Sequence, residues 1–178
     1  MLRALLTLLI IMMFGSPAIA QTEQGSNYKL ASGDIIRISV FGEPDLSFQE
    51  IRLNDAGTFS YPFLGDVHAR GRTAGQIERH LSERLSDGYL VNPRVSVSVV
   101  AYREFYISGE VHRPGGYPYQ PGLTLNRAIA LAGGLTERAS LKRVTIVPGD
   151  GERRTGDRPT LDTPILPGDS INIAQGFF

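Results

Sequence analysis

The sequence predicts an α+β protein: a small mixed-sheet unit followed by a β-grasp unit. Three observations carry this. First, the segment Tyr102 to Ala139 runs strand, Pro/Gly turn, strand, Pro/Gly corner, capped helix and Gly-Gly stop, the order in which a hairpin and its overlying helix open a β-grasp. Second, the pattern G-D-x-I-x-I occurs at Gly33-Asp34 through Ile38 and again at Gly168-Asp169 through Ile173, each time a tight turn leading into an alternating strand. Third, the residues from Gln21 to Phe178 suffice for one domain or two small ones, and the echo favours two. Units of about 75 residues bury only around 60% of their unfolded surface, so the halves are expected to pack on each other or to self-associate.

In the first unit, Ile36, Ile38 and Val40 alternate as a strand that stops at the turn signal Gly42-Glu43-Pro44-Asp45. Strands follow near Glu50 to Leu53 and Thr58 to Phe63, joined by Asn54-Asp55-Ala56-Gly57. Thr73 with Gln76 three residues on forms a capping box for a helix whose Ile77, Leu81 and Leu85 share one face and which Gly88 ends. Val95, Val97 and Val99 then alternate with polar residues as a half-buried strand. In the second unit, Phe105 to Val111 and Gly116 to Tyr119 form a hairpin around Arg113-Pro114-Gly115. Thr124 caps a helix with Leu125, Ala128, Ile129 and Ala132 facing the sheet, and Gly133-Gly134 stops it. Val144 to Val147 is a strand, Gly149 to Thr160 a polar surface loop, and Ile171 to Ile173 closes the sheet.

The first twenty residues read as a secretory signal peptide: Arg3, an apolar run from Leu5 to Phe14, Gly15-Ser16-Pro17, and Ala18-Ile19-Ala20 with cleavage after Ala20. The apolar run is well short of the roughly 20 residues that span a bilayer. Gln21 stands where a lipid-anchored exported protein needs cysteine, and the chain has no cysteine, so neither acyl anchoring nor disulfides are expected. The chain carries 18 basic and 18 acidic residues; cleavage removes only Arg3 from this count, leaving a mature protein of about one negative charge. No apolar run beyond residue 20 approaches spanning length, so the mature protein is expected to be soluble, and the charge balance predicts no strong attraction to nucleic acid or anionic lipid.

Catalytic chemistry is hard to place. His68, His80 and His112 show no metal-ligand spacing, no G-x-S-x-G elbow is present, and a thiol nucleophile is impossible. Glu43 and Asp45 flank Pro44 in a turn, where solvated carboxylates are the ordinary outcome, and Gly133-Gly134 ends a helix instead of opening one on a phosphate. No catalytic residue, metal or cofactor is therefore expected. Gly33, Asp34, Gly168 and Asp169 read as structural turn motifs, with glycine at positive φ and aspartate capping the turn. The remaining feature is aromatic and basic: Tyr102, Arg103, Tyr106, Arg113, Tyr117 and Tyr119 gather around the hairpin. Aromatic faces stack on sugar rings and arginine pairs with acidic groups, so Tyr102, Arg103, Arg113, Tyr117 and Tyr119 are candidates for carbohydrate contact or subunit contact; the plainer alternative packs the tyrosines on the sheet with their hydroxyls outward.

With these residues in view, the chain resembles bacterial polysaccharide biosynthesis/export proteins of the outer-membrane polysaccharide exporter family. The matching blocks are Tyr28-Lys29-Leu30 with Ser32-Gly33-Asp34, V-F-G-E-P-D-L-S from Val40, Y-P-F-L-G from Tyr61, G-Y-L-V-N-P-R-V from Gly88, S-G-E-V-H-R-P-G from Ser108, A-I-A-L-A-G-G-L-T from Ala128, and P-G-D-S-I from Pro167. The resemblance implies a polysaccharide export domain over 21–101 and a soluble-ligand-binding β-grasp (SLBB) domain over 102–178. It further implies a non-catalytic role in capsule or exopolysaccharide export, as a periplasmic homo-oligomer associated with the outer membrane through partners. Those partners would be the polysaccharide chain, an inner-membrane chain-length co-polymerase and a separate outer-membrane β-barrel. Without a lipid-bearing cysteine, a second β-grasp or a C-terminal helix, the sequence resembles the short members of the family, for which an adaptor role is expected. The competing expectations are a monomeric periplasmic glycan-binding or sensing module and, more remotely, a glycan-processing enzyme using Asp45 or Asp55. In this setting the hairpin tyrosines and Arg113 are expected to lie at a subunit interface more than on glycan.

Overall fold

The computed structural model describes residues 27–149 and 158–176; the predicted signal peptide with its cleavage site after Ala20, and most of the polar loop after Gly149, lie outside the described residues. The fold is α+β. Its first part has strands β1 (Ile35–Val40), β2 (Phe48–Arg52), β3 (Thr58–Tyr61), β4 (Gly65–His68) and β5 (Val95–Ala101), with helix α1 (Ala74–Ser86) between β4 and β5. A three-stranded antiparallel sheet has the order β2-β1-β5, and β3 pairs with β4 in a separate hairpin.

The local chemistry accounts for these elements. In β1, Ile36, Ile38 and Val40 are buried while Arg37 and Ser39 are exposed, the period-two pattern of a strand with one face on a core. α1 begins at a complete capping box: Thr73 Oγ1 accepts from the Gln76 amide at 3.3 Å, and Gln76 Oε1 accepts from the Thr73 amide at 2.8 Å. Ile77, Leu81 and Leu85 leave no surface exposed and pack with the buried faces of β1 and β5. The outer edge of β5 is guarded by the same helix, because Glu78 accepts from the Val97 amide at 3.1 Å and Ser82 donates to the Pro93 carbonyl at 3.0 Å.

The second part comprises β6 (Phe105–Gly109), β7 (Gly115–Tyr117), α2 (Leu125–Leu131), β8 (Ala139–Val147) and β9 (Ser170–Gln175). Its sheet has the order β7-β6-β9-β8, with β6 and β9 parallel at the centre and both outer pairs antiparallel. α2, capped by Thr124, buries Leu125, Ala128 and Ile129 in one cluster with Phe105, Ile107, Ile171 and Ile173. The buried apolar residues thus fall into two clusters, one from Leu30 to Val97 and one from Phe105 to Ile173.

Several boundaries differ from the sequence expectation, including β2, which runs Phe48–Arg52 and not Glu50 to Leu53. The strand expected over Thr58 to Phe63 stops at Tyr61, because the chain reverses at Pro62-Phe63-Leu64 with Phe63 at φ 65° and Gly65 at φ 69°, and the returning strand Gly65–His68 was not expected. β6 ends at Gly109 (φ 85°) and not at Val111, which makes only an isolated bridge to Leu135, and the returning strand is Gly115–Tyr117. β8 starts at Ala139, five residues before the alternation at Val144 makes a strand legible, because its pairing with β9 shifts register between those two residues. His80 is half-buried beside Arg72, Gln76 and Glu83 in a shallow surface groove over α1.

A Cβ at Gly109 would run into the Ile173 carbonyl that the parallel β6/β9 pairing brings close, whereas one at Gly134 (φ 90°) would meet nothing within 4 Å. Gly109→Ala is therefore expected to lower unfolding stability by about 3 kcal/mol and Gly134→Ala by about 1 kcal/mol, the second from backbone strain alone. Urea unfolding of the two variants beside the parent checks the difference.

Candidate functional site

The two G-D turns meet where the two parts join. Asp34 is fully buried and accepts three hydrogen bonds: from the Tyr28 hydroxyl at 2.6 Å, the Ala31 amide at 2.8 Å and the Arg103 amide at 2.9 Å. The last of these crosses from the first core to the segment that leads into the second. Asp169, also buried, repeats the geometry, accepting from the Leu166 amide at 2.8 Å and the Gly149 amide at 3.4 Å. Each aspartate also donates its own amide to the carbonyl three residues back, Ala31 or Leu166, at 3.2 Å. Gly33 (φ 88°) and Gly168 (φ 84°) hold the left-handed conformation these turns need, and both approach Arg103. At Gly168 a Cβ would overlap the Arg103 guanidinium, so a side chain there would force Arg103 to shift in addition to straining the backbone. One guanidinium nitrogen, Nη1 of Arg103, is buried with no hydrogen-bond partner.

Aromatic rings close the junction. Tyr102 packs edge-on against Tyr28 (centroids 4.8 Å apart) and against Tyr119 (5.3 Å). Burial, reinforced by the hydrogen bond to Asp34 and that carboxylate's charge, holds the Tyr28 hydroxyl far above the usual phenol range, with Arg103 opposing in part. Burial also raises Tyr119, with Tyr102 adding to it, and Tyr61, whose hydroxyl donates to the Leu46 carbonyl at 2.7 Å, is pushed up to about 12 by burial. Donors from the fold itself surround the carboxylate of Asp34, so it serves as a tie and not as a base facing a substrate.

The five candidate residues accordingly separate into two groups. Tyr102, Arg103 and Tyr119 line the junction. Arg113 and Tyr117 belong to the hairpin: Tyr117 stacks on Phe105 (5.9 Å, 28°) and donates to the Arg113 carbonyl at 2.6 Å, while the Arg113 guanidinium donates to the Leu131 carbonyl at 3.1 Å at the end of α2. Tyr106 stands exposed on the outer side of β6. Among the described residues no group of three or more His, Asp or Glu side chains could hold a metal ion, and no helix is long and apolar enough to cross a membrane.

Sequence reasoning missed a second aromatic set. Phe63 and Tyr89 stack with centroids 5.0 Å apart and planes 24° from parallel, yet are 64% and 50% exposed. Nearby in the chain, Val91 is exposed, and Phe41 lies under the Arg94 guanidinium at 4.0 Å. Antiparallel pairing of Val40 with Val95 and of Ile35 with Ala101 puts Phe41 and Arg94 at the end of β1 and β5 opposite the Asp34 junction. The available signal was the placing of bulky apolar residues inside turn sequences, Tyr61-Pro62-Phe63-Leu64-Gly65 and Gly88-Tyr89-Leu90-Val91-Asn92-Pro93.

Residues 22–100 match the family model described as polysaccharide biosynthesis/export protein, and residues 105–156 match the SLBB domain. The first domain is that of the polysaccharide biosynthesis/export family. The chain is 40% identical to the exopolysaccharide production protein ExoF of Rhizobium meliloti (strain 1021) over 82 residues, which cover 45% of this chain and 20% of that protein. It is 26% identical to the EPS I polysaccharide export outer membrane protein EpsA of Ralstonia solanacearum over 177 residues, covering 83% of this chain and 44% of the relative. The chain thus spans a fifth of the first relative and under half of the second.

Two outcomes are expected at the junction. Asp34→Ala strands three donors and should cost about 3–5 kcal/mol in urea unfolding. Because Tyr28 and Tyr61 titrate higher in the folded than in the unfolded chain, their contribution is complete below about pH 10 and is lost as pH rises. Stability should fall between about pH 10 and 12 by up to ~1.4 kcal/mol per pH unit for each tyrosine, and Tyr28→Phe should make the decline shallower in a pH series of unfolding curves.

Proposed function

We propose that this chain is a non-catalytic component of a capsule or exopolysaccharide export machine, acting in the periplasm as an oligomeric conduit or adaptor toward the outer membrane. The observation that carries this reading is the joining, in one chain, of an export-family domain and an SLBB domain through a buried carboxylate whose hydrogen bonds are made within the fold. Such a junction suits a rigid building block better than a reaction centre. The names of the relatives, one an exopolysaccharide production protein and the other a polysaccharide export outer membrane protein, support the same class of cargo.

On this reading the export domain runs over 21–101 and the SLBB domain over 102–178, with delivery to the periplasm by the signal peptide cleaved after Ala20. The chain associates with further copies of itself, with the polysaccharide, with an inner-membrane chain-length co-polymerase and with a separate outer-membrane β-barrel. Tyr102, Arg103 and Tyr119 fix the angle between the domains, and Arg113 and Tyr117 shape a hairpin that meets a neighbouring subunit. Gly33, Asp34, Gly168 and Asp169 act through the turns they build.

Deleting the gene should abolish surface polysaccharide while lipid-linked precursor continues to be made, as read by extracting both fractions from the same cells. Sedimentation of the purified protein should show concentration-dependent self-association that Arg113→Ala with Tyr117→Ala weakens. A strict monomer at high concentration, alone and with its membrane partner, would count against the oligomeric reading.

A further inference from the structure

The stacked Phe63 and Tyr89 rings sit in a setting that packing does not explain. Phe63 occupies φ 65°, a conformation that glycine or asparagine adopts freely and a bulky side chain does not, and its ring then projects into solvent. Two further features brace this end of the domain. The turn Pro62-Phe63-Leu64 is closed by the Leu64 amide on the Tyr61 carbonyl at 3.2 Å, and the Tyr89 segment by the Leu90 amide on the Leu85 carbonyl at 2.8 Å. An aromatic pair is therefore held in a fixed orientation, each ring limiting the other's rotation, with outer faces and edges open.

We infer that Phe63 and Tyr89 form a stacking platform for pyranose rings of a polysaccharide, at the end of the export domain remote from the SLBB domain. This rests on the export reading and assigns the glycan contact to residues other than the hairpin tyrosines. Size and shape favour sugar as the occupant: the stacked pair offers on the order of 200 Å² of flat apolar surface, and even with the exposed Val91 and Phe41 added it falls short of the roughly 800 Å² that each side of a stable protein interface contributes. That area fits one or two sugar rings, whose C–H faces pack on aromatic faces while their hydroxyls stay in water. Four of the hairpin residues are less available, since Tyr102, Tyr117 and Tyr119 pack on other rings or close the junction and Arg113 donates to the end of α2, while Tyr106 is as exposed as Tyr89 and serves as the comparison ring.

The probe is a set of short oligosaccharides released by mild acid from the exopolysaccharide of the strain that carries the gene, titrated into the full-length protein with aromatic ring signals read by NMR. Binding should perturb the Phe63 and Tyr89 rings, and Tyr89→Ala should raise Kd by roughly tenfold. Phe63→Gly is the decisive variant, because glycine accepts the same backbone without strain: thermal stability should be kept or improved while Kd rises by a similar factor. Tyr106→Ala, on the other domain, should bind as the parent does. Unchanged affinity in the Phe63→Gly, Tyr89→Ala double variant overturns the inference. So does the absence of binding by any fragment, and so does a double variant whose only defect is in self-association, which would make the pair a protein contact. In cells, a deletion that leaves surface polysaccharide intact defeats the export reading itself, whereas a double variant that exports normally in a strain where deletion does not defeats only the platform.

Discussion

A buried carboxylate needs donors in place of water, and Asp34 takes its three from two stretches of chain: the Tyr28 side chain and the Ala31 amide in the segment that leads into its own turn, and the Arg103 amide at the start of the second domain. That single charge therefore ties the N-terminal segment, the first strand and the interdomain link to one point. Because the acceptor is ionic and dehydrated, none of these donors is free to wander without a large penalty. The spacing between the two cores, and the direction in which β6 leaves β5, follow from it.

The second G-D turn applies the same device to the other domain. Asp169 closes a turn of matching geometry, its carbonyl accepts from the Tyr106 amide at 2.8 Å, and the Gly168 amide donates to the Glu104 carbonyl at 3.1 Å. Arg103 lies between the turns, its amide on Asp34 and its guanidinium against Gly168. A motif that occurs twice in the sequence thus becomes the two halves of one joint. Positive φ favours glycine on both sides, and at Gly168 the missing Cβ also leaves Arg103 undisturbed.

Aromatic residues are divided between two ends of the export domain. At the junction, Tyr28, Tyr102 and Tyr119 are packed edge to face, and their hydroxyls serve local hydrogen bonding or burial. At the far end of β1 and β5, about 20 Å away for a six-residue strand, Phe41 faces solvent, and Phe63 and Tyr89 do so in the β3–β4 turn and the segment after α1. Rings committed to packing make a rigid connection; rings left in water make a surface that something else completes.

Much of the architecture was legible in the sequence because its signals are local. Alternation in Ile36, Ile38 and Val40, the Thr73–Gln76 capping box and the Gly133-Gly134 stop each act within a few residues, and the ordered family blocks extended that reading across the chain. The start of β8 at Ala139 and the break at Phe63 were not legible, because one depends on a shifted register with β9 and the other on a positive φ at a residue that disfavours it. The site shows the same division. Sequence alone determined that the aspartates of the G-D turns would cap their turns and that the hairpin would be rich in tyrosine. Only the tertiary structure decided that Asp34 reaches Arg103 across 69 residues of sequence, that the hairpin residues part into two groups, and that Phe63 and Tyr89 meet. Contacts between distant segments depend on how whole elements pack, and no local pattern encodes them.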